Sequence, residues 1–432
     1  MRFFVTSAEK NISFTVEHQC PQCGAPITLG EDVLFFVCGF CRVRSCISQK
    51  GFARYYFSPS PDAPTDSDII YLPYWRFKGV RYACCFSGVA HRFLDISALA
   101  MEGGPPQIPF SLGFRSQALS LKLVSSETQG KFIRPGKFKT ILQTLNKPGR
   151  SLKKDRSPVF QEDIGETTSL IYSPFYIHEN RLFDGILNTS IQAILPGDLS
   201  DNILGNIDMT DQNLCRPEKE TIFVSGICPD CGWNLEGQFN SLVLVCRNCQ
   251  TLWRTRGNKL GKIKYSSGKP KQPDDVMVPF WKITADISPL AMKTYADLVR
   301  MGNLPKAIQP EWENQALCFW APAFKLQPKI FLRLTTRFAI AQPNPPLEKK
   351  IRKNSLLPIT LPPGEAIQSI KITLASIMRP LKDHLPDLSK ATVVPGETRL
   401  VFLPFEPRHH EYFNPDLNIA INKNILALSG NL

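Results

Sequence analysis

Apolar positions in this chain fall mostly in short alternating or continuous runs, and only rarely at helical spacing. Such runs, bounded by turn residues, predict strands. Two aromatic-rich runs stand out, Ile69 to Phe77 and Val276 to Ile283. Each carries a proline, Pro73 or Pro279, which cannot donate to a ladder, so both are expected as edge strands or strand starts. Lys329-Ile330-Phe331-Leu332-Arg333-Leu334-Thr335 reads as a buried strand. Helical signals are fewer. Ser288 is placed to cap a helix with Pro289 at its first position and Gly302 just past its end, and Leu290, Tyr295, Leu298 and Met301 lie roughly on one face. A second helix is predicted near Pro363–Met378, from Ala366, Ile370 and Leu374. The 36 prolines favour short elements joined by turns.

The pattern repeats. Cys20-Pro21-Gln22-Cys23-Gly24 matches Cys228-Pro229-Asp230-Cys231-Gly232, and in each copy fourteen residues separate this pair from a second, Cys38/Cys41 or Cys246/Cys249. Tyr71-Leu72-Pro73-Tyr74-Trp75-Arg76 then matches Met277-Val278-Pro279-Phe280-Trp281-Lys282. Asp95 to Met101 matches Asp286 to Met292, so the first copy is expected to carry an insertion of about fifteen residues, a hairpin around GVRYACCFSGVAHRF. Phe114 to Gln117 matches Phe324 to Gln327, and Ser169 to Phe175 matches Arg399 to Phe405. The expectation is an internal duplication. Its parts are a zinc ribbon over 1–50, a β-rich domain over 51–205, a second ribbon over 216–256 and a second β-rich domain over 257–432. The polar stretch near 200–220 is the expected linker. The predicted class is α+β, β-rich, each half a four-cysteine ribbon followed by a β-rich domain with one or two helices.

Composition narrows the chemistry. The 432 residues are 43% hydrophobic, ordinary for a globular chain. No run reaches the ~18 apolar residues of a membrane-spanning helix, and the N-terminal stretch lacks the apolar core of a signal peptide. Thirteen cysteines, eight of them in Cys-x-x-Cys pairs, point to metal in a reducing compartment rather than to a disulfide framework. Cys46, Cys84, Cys85, Cys215 and Cys318 show no ligand spacing and read as buried thiols. The net charge of +13 is concentrated in residues 131–156 and 254–271. It permits nucleic acid or an anionic membrane surface as a peripheral partner.

Thiolates are strong zinc ligands, and four of them make a closed, structural site. Cys-x-x-Cys lets one tight turn present two sulfurs, and Gly24 and Gly232 suit the left-handed position after it. The expected ligands are Cys20, Cys23, Cys38 and Cys41 for one zinc and Cys228, Cys231, Cys246 and Cys249 for another, two structural ions per chain. Rubredoxins hold iron with a similar Cys-Pro-x-Cys-Gly turn, but carry Pro and Gly on both pairs. Here Cys38-Gly39-Phe40-Cys41 and Cys246-Arg247-Asn248-Cys249 lack them, so zinc is favoured.

No other constellation is as specific. There is no phosphate-binding Gly-x-x-x-x-Gly-Lys loop, no Gly-x-Ser-x-Gly elbow and no His-Glu-x-x-His pair. His18 near Cys20 reads as a surface histidine. His409-His410 beside Glu406 and Glu411 would point to opposite faces of a strand. Cys84-Cys85 near His91 reads as packed thiols rather than a nucleophile and base. Tyr74, Trp75, Phe280 and Trp281 read as core rather than as a base-stacking platform.

The ribbons together with Tyr71 to Trp75 and Val278 to Trp281 resemble a group of uncharacterised bacterial proteins in which a zinc ribbon precedes a β-rich region carrying Leu-Pro-Tyr/Phe-Trp. The resemblance spans about a third of the chain. It implies a cytoplasmic bacterial protein and carries no activity with it. The expected function is a non-enzymatic adaptor or scaffold with a protein partner. The alternatives are nucleic-acid binding through ribbon 2 and Arg254, Arg256, Lys259, Lys262 and Lys264, and an enzyme with an unfamiliar site between the halves.

Overall fold

In the computed structural model both prolines sit inside long strands. The structure describes residues 15–48, 51–63, 69–101, 108–113, 119–125, 128–137, 157–179, 181–193, 221–351 and 354–429. The fold is mixed α+β and strand-rich. Two compact units form: Met1–Phe77, Asp95–Lys147 and Thr167–Ser225 make the first, and Lys78–Leu94, Pro148–Glu166 and Gly226–Leu432 the second. The hairpin sequence expected as an insertion does form a hairpin, Ile70–Cys85 with Gly88–Leu99, and its tip groups with the second unit. The polar stretch at 200–220 lies outside the described residues, as do Phe114 to Gln117.

In the first unit Ala53–Phe57 runs parallel to Phe160–His178, with Tyr55 opposite Ile171, and antiparallel to Leu121–Leu123. Buried Tyr55, Phe57, Leu72, Tyr74, Ile171 and Phe175 form its main core. Arg76 is buried and paired with Glu31 and Asp95, which fastens the ribbon segment carrying Glu31 to the central strand. In the second unit Val276–Ser288 lies between Cys318–Pro322 and Thr392–Pro407, and Tyr265–Gly268 runs parallel to the last of these. Helices α1 (Tyr295–Met301), α2 (Pro328–Ala341), α3 (Pro363–Ile377), α4 (Leu381–Lys390) and α5 (Lys423–Ser429) complete it. Phe280, at the centre of the sheet, meets Phe338 of α2 at 4.9 Å between ring centroids.

Central placement of Pro73 and Pro279 corrects the edge-strand expectation. Pro279 pairs with Phe402, and its carbonyl accepts from Ala323 just past the end of the Cys318–Pro322 strand. Along a strand the N and C=O of one residue point to the same side, so the missing donor faces that side and costs the ladder to Thr392–Pro407 nothing. Lys329–Thr335, expected as a strand, is helix: Pro328 begins α2, and Phe331, Leu334, Thr335, Phe338 and Ala339 are its buried face. Seven residues were too short a window to separate the two periods. Ser288 ends a strand instead of capping a helix. Helix α1 starts later, with Thr294 as N-cap and its N–H donating in return to the Asp297 carboxylate, and Gly302 ends it as expected. The Pro363–Met378 helix forms as α3.

One hydrogen-bond pattern recurs in both units. Ala100 N–H donates to the Pro73 carbonyl (2.8 Å), Gly136 N–H to Ala100 (2.7 Å), and the Trp75 indole to Gly136 (2.9 Å). In the other unit Ala323 donates to Pro279 (3.0 Å), Leu361 to Ala323 (3.0 Å), and the Trp281 indole to Leu361 (2.9 Å). Ala100 and Ala323 hold like places in this pattern, whereas the matched Asp95–Met101 and Asp286–Met292 do not: Asp95 lies in the second strand of a hairpin, and Asp286 continues the Pro279 strand. The strand ends also correspond. Gly185 N–H and the Asn414 side-chain amide donate to Pro174 and Pro404 respectively (2.9 and 2.8 Å). The buried side chains of Asp184 and Asn414 accept from Leu187 and Leu417 (3.1 and 2.9 Å), and Asn188 and Asn418 close each turn at φ 52° and 50°.

Candidate metal centres

Each four-cysteine cluster is built from two tight turns. Cys20 and Cys23 lie between Thr15–Gln19 and Pro26–Gly30, and Cys38 and Cys41 between Phe35–Val37 and Arg44–Ser48. In every turn the residue four after the first cysteine is left-handed: Gly24 (φ 71°), Arg42 (φ 62°), Gly232 (φ 72°) and Gln250 (φ 58°). Gly24 N–H and Gly232 N–H each donate to the carbonyl of the first cysteine at 2.9 Å, and Arg42 N–H donates to Cys38 at 3.1 Å. The second turns therefore adopt the same conformation without glycine, at the steric cost of a Cβ in the left-handed region.

The sulfurs converge. Within each group all four Sγ atoms lie within 4.8 Å of one another. Cys20–Cys41 and Cys23–Cys38 are 3.7 and 3.8 Å apart, and Cys228–Cys249 and Cys231–Cys246 are 3.6 and 3.4 Å apart. A tetrahedron with metal–sulfur bonds of about 2.3 Å has edges of about 3.8 Å. The clusters therefore fit one four-thiolate ion each, with no position left for substrate. Local donors favour the thiolate form. The amides of Cys41 and Phe40 bring Cys38 down to about 6, and Asn248 and the Trp233 amide do the same for Cys231. Burial and the neighbouring thiols push Cys246 the other way, to about 12. A central cation removes that conflict, because each sulfur then faces positive charge.

Ribbon 2 has a layer that the sequence reading missed. The Trp253 indole donates to Thr251 Oγ1 (2.8 Å), which lies 3.0 Å from Cys249 Sγ and 3.6 Å from Cys228 Sγ. With its oxygen accepting from the indole, the hydroxyl is free to donate to sulfur, as partners that tune metal ligands do. Val43 occupies the corresponding position in ribbon 1, so the arrangement is confined to ribbon 2. The signal was there as Thr and Trp two and four residues after Cys249.

No family model, curated protein or solved structure matches this chain.

The remaining sequence candidates separate. Among the described residues the two metal-ligating groups contain only cysteines. His18 stacks on Phe223 at 4.7 Å. His409 and His410 lie in a bend, not a strand, so their rings meet at 4.1 Å rather than pointing apart, yet they join no ligand group. Burial pushes the Cys84 thiol up to about 12 and also raises Cys85, which leaves both protonated and weakly nucleophilic near neutrality. Cys46 is buried likewise. Tyr74, Trp75, Phe280 and Trp281 are all buried, as a core role requires. Cys215 and most of the 131–156 basic segment lie outside the described residues. Of the ribbon 2 cations, Lys262 bonds Asp230 (2.6 Å), while Arg254, Arg256 and Lys259 share one face of the hairpin, with Arg256 opposite Lys259 and Arg254 opposite Gly261. Among the described residues no helix is long and apolar enough to cross a membrane.

Proposed function

We propose that the chain is a non-enzymatic zinc-binding adaptor or scaffold that engages a protein partner through its ribbons. The observation that carries this reading is an exposed aromatic ring on each closed metal centre. Phe40, between Cys38 and Cys41, is 69% exposed, and Trp233, two residues after Cys231, is 59% exposed. Large aromatic side chains held out on rigid turns are characteristic anchors of protein interfaces. Zinc is the ion of choice because four thiolates, a short spacer and a closed shell suit a structural d¹⁰ cation. The recurring Pro–Ala–Trp hydrogen bonds support reading the two units as copies of one duplicated plan. On the ribbon-plus-Leu-Pro-Tyr-Trp resemblance, the protein belongs in the bacterial cytoplasm.

The test is affinity purification from the native host with native protein and the Phe40→Ser/Trp233→Ser double variant. One defined partner that survives nuclease and is lost in the variant, with both metals retained, supports the adaptor. Identical partners for both proteins would remove it.

A second reading, nucleic-acid binding, is supported by the shared face of Arg254, Arg256 and Lys259. It requires affinity that falls steeply with salt. An oligonucleotide affinity that is unchanged when all three are replaced by Gln excludes that face.

A further inference from the structure

Helix α2 carries Lys329, Arg333 and Arg337 four residues apart, hence on one stripe, and has no Asp or Glu in its 14 residues. Like charges at this spacing destabilise a helix. Among the described residues none of the three has a carboxylate partner. All three line a groove of about 700 Å³ within the second unit, together with Lys306 and His91, and no acidic side chain lines it. Lys306 is fixed there by the Tyr295 hydroxyl (2.7 Å) and the Ile340 carbonyl (2.9 Å), neither of which carries an opposite charge. The rest of the lining is largely aliphatic: Val89, Leu332, Ile340 and Ala341. A second hollow of about 420 Å³, under the hairpin tip Phe86–Val89, shares Val89, Leu332 and Ser376 with it and adds Arg379.

The geometry points to a binding site for a small anionic amphiphile, its phosphate or carboxylate head on Lys329, Arg333 and Arg337 and its aliphatic tail along Leu332 and Val89. Volume and lining suit a molecule of that size. Charge-assisted bonds from two arginines and a lysine suit an oxyanion, and Arg can bind it in bidentate fashion. A nucleotide fits less well, because the lining offers neither a broad aromatic face nor an amide to hold a base. The site uses none of the ribbon residues, so it stands or falls apart from the adaptor reading.

The probe is dodecyl phosphate below its micelle concentration, titrated calorimetrically into the full chain with its metal. Inorganic phosphate and dodecyl maltoside serve as head-only and tail-only controls. Dodecyl phosphate should bind about tenfold or more tighter than either control, since each 1.4 kcal/mol of added contact is tenfold. Arg333→Gln/Arg337→Gln, both at exposed positions, should lower that affinity by roughly tenfold to a hundredfold with unchanged circular dichroism and metal content. Leu332→Ser should weaken the amphiphile and leave inorganic phosphate unaffected. Three outcomes overturn the proposal: equal affinity in the double variant, inorganic phosphate binding as tightly as the amphiphile, or capture only by phosphatidic acid vesicles with no binding of the monomeric probe. The last would mean that a bilayer surface, rather than the groove, is what is recognised.

Discussion

The indole of Trp281 donates to the backbone carbonyl of Leu361 at 2.9 Å, and both residues are almost wholly buried. Leu361 in turn donates to Ala323, and Ala323 to the mid-strand Pro279. One side chain thus closes a chain of bonds at the point where proline has removed a donor. Trp75 does the same for Gly136, Ala100 and Pro73.

Trp281→Phe keeps most of the ring and removes the donor. An unpaired buried carbonyl costs about 1–3 kcal/mol. The expected result is a loss of that size in urea unfolding, and Trp75→Phe should cost a similar amount. A cost confined to one of the two variants would argue against equivalent roles.

Cys23→Ser should release one metal ion per chain and loosen ribbon 1, while ribbon 2 keeps its ion. In model ribbons and fingers, binding contributes on the order of 10 kcal/mol to folding, so the loss is local but complete. Metal stoichiometry, measured against protein concentration, checks it. Loss of both ions from this variant would show that the sites are not independent.

Asn414 is buried, donating to the Pro404 carbonyl (2.8 Å) and accepting from Leu417 N–H (2.9 Å). Asn414→Asp sets a carboxylate against that carbonyl. A destabilisation of about 2 kcal/mol is expected in denaturant titration, from losing the donor and leaving the carbonyl unsatisfied. At Asp184, where the amide of Gly185 supplies the bond to Pro174, Asn should be tolerated better.

Burial raises the carboxyl of Glu162 above its ordinary value of 4.5 even though Lys371 lies 3.6 Å away. A raised folded value means that the folded chain holds the proton more tightly. The stability this contributes is present below about 4.5, the unfolded value, and is lost as pH rises through the folded one. Glu162→Gln abolishes the titration, so the variant should gain on the native protein in urea midpoint as pH rises above about 4.5. A variant that instead falls further behind as pH rises would show that the Lys371 attraction outweighs burial.

Much of this was legible in the sequence where spacing carries chemistry. Paired cysteines name their own partners, because Cys-x-x-Cys turns separated by a hairpin have one compact solution. The two aromatic proline segments were recognisable as strands, since short, nearly continuous apolar runs rich in aromatic residues suit a sheet buried on both faces. Their central position was not, because which side of a strand tolerates a missing N–H depends on a distant residue such as Ala323. Lys329–Thr335 misled because four apolar residues in a window of seven fit either period, and only Phe338 and Ala339, one turn further on, decide for helix. The extra partners Thr251 and Trp253 were missed because one is an ordinary loop residue and the other an ordinary strand residue until the fold brings the Thr251 hydroxyl to sulfur and the Trp253 indole to that hydroxyl.

The metal content of the full chain, purified without added metal and measured by elemental analysis against protein concentration, tests the central claim most directly. Two zinc ions per chain, with a colourless solution, is the expected result. A red, iron-containing protein, or a chain that folds with neither site filled, would contradict it.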